Sequence, residues 1–238
     1  MQGAIIVGAS SGIGAALAHE LAARGYTLGL VARREDLLQQ LQAQLPVRSY
    51  IRRVDVADPD SAMPVLRELI AEMGDVELFV LNAGVGFLNR DLDWGPELET
   101  IEVNVTGFCA ALNVALRTLE QRSSGHIVGI SSIAALRGSR HAPAYAASKA
   151  FMSNYLEGIR HYCHKRGLSI AVTDIQPGFV RTAMAKGEGL FWVASPEKAA
   201  QQICEAIFAK RPHAYITRRW RLIAWLLKGV PRALYQRT

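Results

Sequence analysis

Short strand-like runs alternate with helical stretches along this 238-residue chain, and that rhythm leaves few folds open. Segments 3–7, 26–32, 49–56, 76–81, 126–130, 168–175 and 213–217 have strand length, and most are rich in Val, Ile and Leu, as strands buried on both faces are. The first helical stretch ends near residue 24. Others cover 35–45, 60–73, about 96–121, a stretch ending near 165, and 196–210. Asp60 reads as the N-cap of the third helix. Strand and helix repeating across short turns predict a parallel sheet covered by helices on both faces, an α/β Rossmann-type doubly wound fold. No linker, repeat or low-complexity segment divides the chain. One domain over 1–217 is expected, with 218–238 as a C-terminal extension.

Charge narrows the partners. Lys and Arg number 27 against 21 Asp and Glu. Six of the basic residues (Arg218, Arg219, Arg221, Lys228, Arg232 and Arg237) fall in 218–238, where there is no acid, leaving 21 of each sign elsewhere. The surplus therefore belongs to the extension, and no nucleic-acid partner is expected for the body. Cys109, Cys163 and Cys204 lie far apart in helical stretches, are odd in number and form no Cys-x-x-Cys. Neither a disulfide framework nor a zinc site is indicated, and reduced thiols fit a cytoplasmic location. The first strand begins too early for a signal peptide, and no run approaches the ~20 apolar residues of a spanning helix. His161 and His164 share a helical face without a convincing third ligand, so no metal is expected.

Three stretches carry chemistry. Gly8-Ala-Ser-Ser-Gly-Ile-Gly14 follows the first strand and opens a helix, where bare backbone and free N–H groups can receive a pyrophosphate. A tight glycine turn alone is the competing reading. At the end of the second strand, Arg33-Arg34 stands where an acid would bind the adenosine ribose of NAD. Arginine there suits a 2′-phosphate, so NADP(H) is expected over NAD(H), with Arg33 as the main contact; two solvated arginines opening a helix are the alternative. Lastly, Ser132 ends the fifth strand, and Tyr145 and Lys149 lie one turn apart on one helix face. A lysine cation favours a phenolate, so it is expected to lower the phenol pKa from ~10. A serine hydroxyl nearby could orient the same substrate oxygen. Ser131 reads as structural.

Together these residues resemble the short-chain dehydrogenase/reductase family over roughly 3–217. The likeness rests on the glycine turn, Asn82-Ala83-Gly84, Asn104, Ser132, Tyr145-Ala-Ala-Ser-Lys149, and Pro177-Gly178 with Thr182. It implies seven parallel strands with the chemistry at their carboxyl ends. By that resemblance Tyr145 is general acid/base, Ser132 binds the carbonyl oxygen, and Lys149 tunes the tyrosine and bonds the nicotinamide ribose. Asn104 would distort its helix and hold a relay water. The implied cofactor set is Gly8, Ser10, Ser11, Gly12, Ile13, Gly14, Arg33, Arg34, Asp55, Val56, Asn82, Ala83, Gly84, Tyr145, Lys149, Pro177, Gly178, Val180 and Thr182, with Ile130 along the nicotinamide. Asp55 would reach the adenine, or alternatively cap a helix. Val7 departs from the family's usual threonine and removes one hydrogen bond toward Asn82.

Phe179, Met184, Leu190, Phe191 and Trp192 form an apolar lid segment, which suggests an apolar substrate, with 86–94 as the opposite wall. Arg218 to Lys228 reads as a basic amphipathic helix that packs on the body or a second subunit, rests on a membrane surface, or meets an acidic partner. The family's habit implies a homodimer or homotetramer. The expectation is an NADP(H)-dependent oxidoreductase for a small-molecule carbonyl/alcohol pair. A silent NADP(H)-binding sensor is the alternative.

Overall fold

The computed structural model of the chain describes residues 2–183, 191–231 and 235. The strands are β1 (Gly3–Val7), β2 (Thr27–Ala32), β3 (Ser49–Arg53), β4 (Val76–Leu81), β5 (Ser124–Ile130), β6 (Ser169–Pro177) and β7 (His213–Ile216). The helices are α1 (Gly12–Ala22), α2 (Glu35–Gln44), α3 (Pro59–Met73), α4 (Trp94–Ile101), α5 (Phe108–Arg122), α6 (Pro143–Lys165), α7 (Pro196–Phe208) and α8 (Trp220–Gly229).

All seven strands pair in parallel in the order β3-β2-β1-β4-β5-β6-β7. Parallel pairing requires crossovers, and the helices supply them on both faces. Strand side chains alternate between the faces. Ala4 and Ile6 pack with Leu17 and Leu21 of α1 and Ile203 of α7, whereas Ile5 and Val7 pack with Leu66 and Leu69 of α3 and Leu112 of α5. Both faces are packed with apolar side chains, which explains why the central strands β1 and β4 read as near-continuous apolar runs. The strand order, not the strand direction, reverses between β1 and β4, and doubly wound sheets open a binding crevice at the carboxyl ends beside such a switch.

Three local readings change. The cap of α3 is Asp58, whose carboxylate accepts from the Ser61 N–H at 3.3 Å, and Asp60 lies inside the first turn. Pro59 decides this: proline has no N–H to cap and fits the first helical position. β3 stops at Arg53, short of the expected Val56. The stretch expected as one helix at 96–121 is α4 and α5 joined by a π-helical segment, Glu102–Gly107. Met184 and Leu190 of the lid lie outside the described residues, as do 232–234 and 236–238.

Candidate active site

Four strands deliver the site. Val7, Leu81 and Gly129 stand in register across β1, β4 and β5, and Ile130 pairs with Ile175 of β6. The residues that follow therefore emerge side by side: Gly8, Asn82, Ser131-Ser132, and Gln176 to Gly178. Asn82 is pinned there although Val7 offers it no side-chain bond. Its N–H donates to the Val7 carbonyl at 2.8 Å, and its amide donates to the Gly8 carbonyl at 2.7 Å.

The glycine turn is built for close backbone approach. Gly8 has φ +91°, and a Cβ there would stand 2.5 Å from the Ala83 nitrogen. A Cβ on Gly14 would strike the Gly8 carbonyl and the Asn82 amide. Ser11, the N-cap of α1, makes no side-chain cap, so that helix start presents its N–H groups uncapped. Thr182 lies over the turn: its methyl would be 2.9 Å from a Cβ on Gly12. Ile13 packs against the core beneath. An uncapped helix start in a turn with no room for side chains fits the pyrophosphate of a dinucleotide.

The two arginines after β2 part company. Arg34 donates to the hydroxyls of Ser10 at 3.0 Å and Ser11 at 2.7 Å, which brings its guanidinium over the glycine turn. Arg33 turns toward Asp55 and Glu99, each at 3.8 Å. Asp55 also accepts from the Ala57 N–H at 3.1 Å. Val56 packs against Gly107 at the end of the π-helical segment.

That segment presents Asn104, which is fully buried. Its Oδ1 accepts from the Val85 N–H at 2.9 Å; its amide donates to the Val85 carbonyl at 2.8 Å and the Ser148 hydroxyl at 3.0 Å. Asn104 thus ties β4's exit loop to α6. Pro143 opens α6, placing Tyr145 in its first turn and Lys149 one turn later. The Tyr145 ring lies against the backbone of Gly86. Ser132 caps the short 3₁₀ turn Ile133–Leu136, its hydroxyl accepting from the Ala134 N–H at 3.1 Å.

Lys149 is buried, donates to the Ile130 carbonyl at 3.0 Å, and stands 5.8 Å from the Tyr145 ring centre. Burial pushes its pKa down to about 8, while the charge of Asp174 works the other way. Burial also raises the Tyr145 phenol above its ordinary value, and the Ser132 hydroxyl opposes that shift. The expected lowering of the tyrosine by Lys149 does not prevail here, because burial dominates the phenol and the ammonium is engaged by a carbonyl. A phenol kept protonated is suited to donate a proton.

Sequence reading missed the floor of the site. Asp174, buried on β6, accepts from the hydroxyls of Ser131 and Ser153 and from the Gln176 amide at 2.9 Å. A carboxylate inside a buried strand is a signal that could have exposed it. Pro177 still pairs with Ile216, and the Gly178 N–H donates to the Ile216 carbonyl at 2.6 Å. Trp220 of α8 covers the bare backbone of Gly178. Val180 is buried and bridges to Ala194. Ala83 and Gly84 run past the Asn104 carboxamide, where a Cβ on Gly84 would stand 3.2 Å from both Oδ1 and the Lys149 ammonium.

A doubly wound sheet, a phosphate-sized glycine turn and a Ser-Tyr-Lys-Asn cluster at its carboxyl edge define a nicotinamide-dependent oxidoreductase acting on an alcohol/carbonyl pair. The family model for short chain dehydrogenase matches residues 2–190, and the chain belongs to the short-chain dehydrogenase/reductase family. It is 39% identical over 186 residues to an uncharacterized oxidoreductase of Myxococcus xanthus, covering 76% of this chain and 73% of that one. It is 30% identical over 188 residues to a 3-oxoacyl-[acyl-carrier-protein] reductase of Escherichia coli, covering 77% and 75%. Among solved structures it resembles an alcohol dehydrogenase of Thermococcus sibiricus complexed with 5-hydroxy-NADP, with TM-score 0.81, 26% identity and coverage of 91% and 96%. A short-chain dehydrogenase/reductase of Burkholderia phymatum in complex with NAD has the same fold, with TM-score 0.86, 23% identity and coverage of 94% and 92%.

Proposed function

We propose that this enzyme is an NADP(H)-dependent reductase of an apolar carbonyl compound, with Tyr145 as the proton donor. The bound cofactor would supply the hydride. Around it, the chain's own groups have distinct tasks. Tyr145 gives its phenolic proton to the substrate oxygen, and Ser132 donates a hydrogen bond to that oxygen as negative charge gathers on it. Lys149 holds a positive charge beneath the phenol and can reach the nicotinamide ribose. Asn104 and Ser148 continue the polar path inward. Phe179, Phe191, Trp192 and Trp220 form a packed aromatic group beside Gly178 and support an apolar substrate.

NADP(H) preference follows from Arg34 over Ser10 and Ser11, which together would present one cation and two hydroxyls to a 2′-phosphate. This shifts the main contact from Arg33 to Arg34. In the same proposal the protein is cytoplasmic. It is a homodimer or homotetramer joined through α4 and α6, where Ile101 and Phe151 expose apolar surface. The observation that carries the reading is the convergence of Ser132, Tyr145 and Lys149 at the carboxyl edge beside the glycine turn.

The test is NADPH oxidation over a carbonyl panel: 3-oxoacyl thioesters, steroid ketones, aromatic and long-chain aldehydes, and diketones. Tyr145→Phe should abolish turnover and keep NADPH binding; equal turnover in both proteins would sink the tyrosine role. Arg34→Ala should cut NADPH affinity by about tenfold or more with NADH little changed, whereas Arg33→Ala should change the ratio less. The reverse ranking would restore Arg33.

A further inference from the structure

Helix α8 is amphipathic the wrong way round for a helix that merely caps a domain. At about 100° per residue, Trp220 and Ala224 point one way, and both are buried against the body. Leu222, Trp225 and Leu226 point the opposite way and are 66%, 79% and 56% exposed. The exposed cations Arg221 and Lys228 run along one flank, with Arg218 and Arg219 at the amino end.

This face is fixed in place. Trp220 sits among Phe179, Phe191 and Trp192, with ring centres 5.1–6.1 Å away. The Arg219 guanidinium lies 5.2 Å from the Trp192 ring centre. At the other end, Arg137 donates to the carbonyls of Leu227 and Val230. Beside α8, Phe191, Trp192 and Val193 are each more than one-third exposed, so these three residues extend the apolar patch.

We propose that this patch docks on an anionic phospholipid surface. Charge selects that occupant. Residues 218–238 hold six cations and no acid, while the rest of the chain has no surplus of acid to attract a second copy. A twofold contact through this face would also set the two basic segments against each other. Exposed Trp and Leu interleaved with Arg and Lys suit the headgroup level of a bilayer, where the rings enter the interface and the cations meet phosphate. α8 has 10 residues, and no helix among the described residues is long and apolar enough to cross a membrane. The helix therefore lies along the surface, and residues 191–193 face the lipid beside it.

The experiment is co-sedimentation of the full chain with sucrose-loaded vesicles, either pure phosphatidylcholine or equal parts phosphatidylcholine and phosphatidylglycerol. Wild type should partition onto the anionic vesicles only, and less so as salt rises. Trp225→Ser/Leu226→Ser should lower the partition coefficient by about tenfold or more through lost apolar insertion. Arg221→Gln/Lys228→Gln should lower it comparably. All four positions are exposed, so melting temperature and NADPH binding should stay at wild-type values and report folding independently. Wild type left in the supernatant with anionic vesicles would overturn the proposal, as would unchanged partition of the Trp225/Leu226 variant. Light scattering that shows this variant losing a subunit contact would assign the face to a second copy instead.

Discussion

Lys149 carries a charge into surroundings that oppose it, and the cost has a definite pH signature. Its pKa falls from 10.5 to about 8 on folding, so below pH 8 the folded state bears the full penalty of a buried ammonium. Between about pH 8 and 10.5 the folded protein releases this proton and the unfolded chain keeps it, so stability rises with pH there. Lys149→Met removes the term. The stability of wild type relative to this variant should therefore improve by about 3 kcal/mol from pH 7 to pH 10.5, measured by denaturant titration. A flat difference would mean that the ammonium is better solvated than its burial suggests. On the role proposed for Lys149, turnover should have the opposite slope, weakening as pH rises through about 8. Asp174 supports the cation, so Asp174→Asn should shift that alkaline limb to lower pH. The nearness of Tyr145 and Lys149 was legible because local spacing fixes which side chains share a helix turn. Asp174 was not, because its role arises from strand β5 lying beside β6. Which arginine of the pair faces the glycine turn was hidden for a related reason: adjacent side chains leaving a strand point to opposite sides, and composition does not say which side holds the turn.

At the scale of elements, the π-helical segment Glu102–Gly107 is the part that sequence described least. Asn104 announced a distortion only through its likeness to a family. The extra residue in the turn is what brings its carboxamide inward to bond both backbone groups of Val85. Asn104→Ala leaves those groups without their partner and removes the bond that the Ser148 hydroxyl accepts, at a cost of about 2–3 kcal/mol. The melting temperature should drop by about 5–10 °C, and turnover should fall further than the stability loss explains. A variant that melts like wild type would show that water replaces the amide. Strand positions, by contrast, were read to within three residues at either end. The core faces of a parallel sheet are apolar on both sides, and such runs stand out wherever the chain folds.

For the whole molecule, the carboxyl-terminal helix is as much a part of the catalytic edge as the strands are. Trp220 is 2% exposed and fills the space above Gly178 that a side chain on β6's exit would otherwise occupy. Trp220→Ala should cost about 3–5 kcal/mol in denaturant unfolding and raise KM for the carbonyl more than it lowers kcat, because Phe179 and Phe191 lose their shared partner. Unchanged stability would show the helix to be an ornament on a self-sufficient domain. The amphipathic pattern of 218–228 was visible from the start, but which side faced inward was not. The helix is apolar on both sides, and only the aromatic group around Trp220 chooses between them.

The bonds from Arg137 to the end of α8 also bear on how the protein can be handled. Arg137 directly follows the short turn that Ser132 opens, so a load applied beyond residue 230 is delivered one turn away from Ser132. Gly3 begins β1 at the opposite pole of the sheet. Immobilised through that pole, the enzyme would turn over undisturbed; anchored by its carboxyl end to a bead or a fused domain, it would be working under tension.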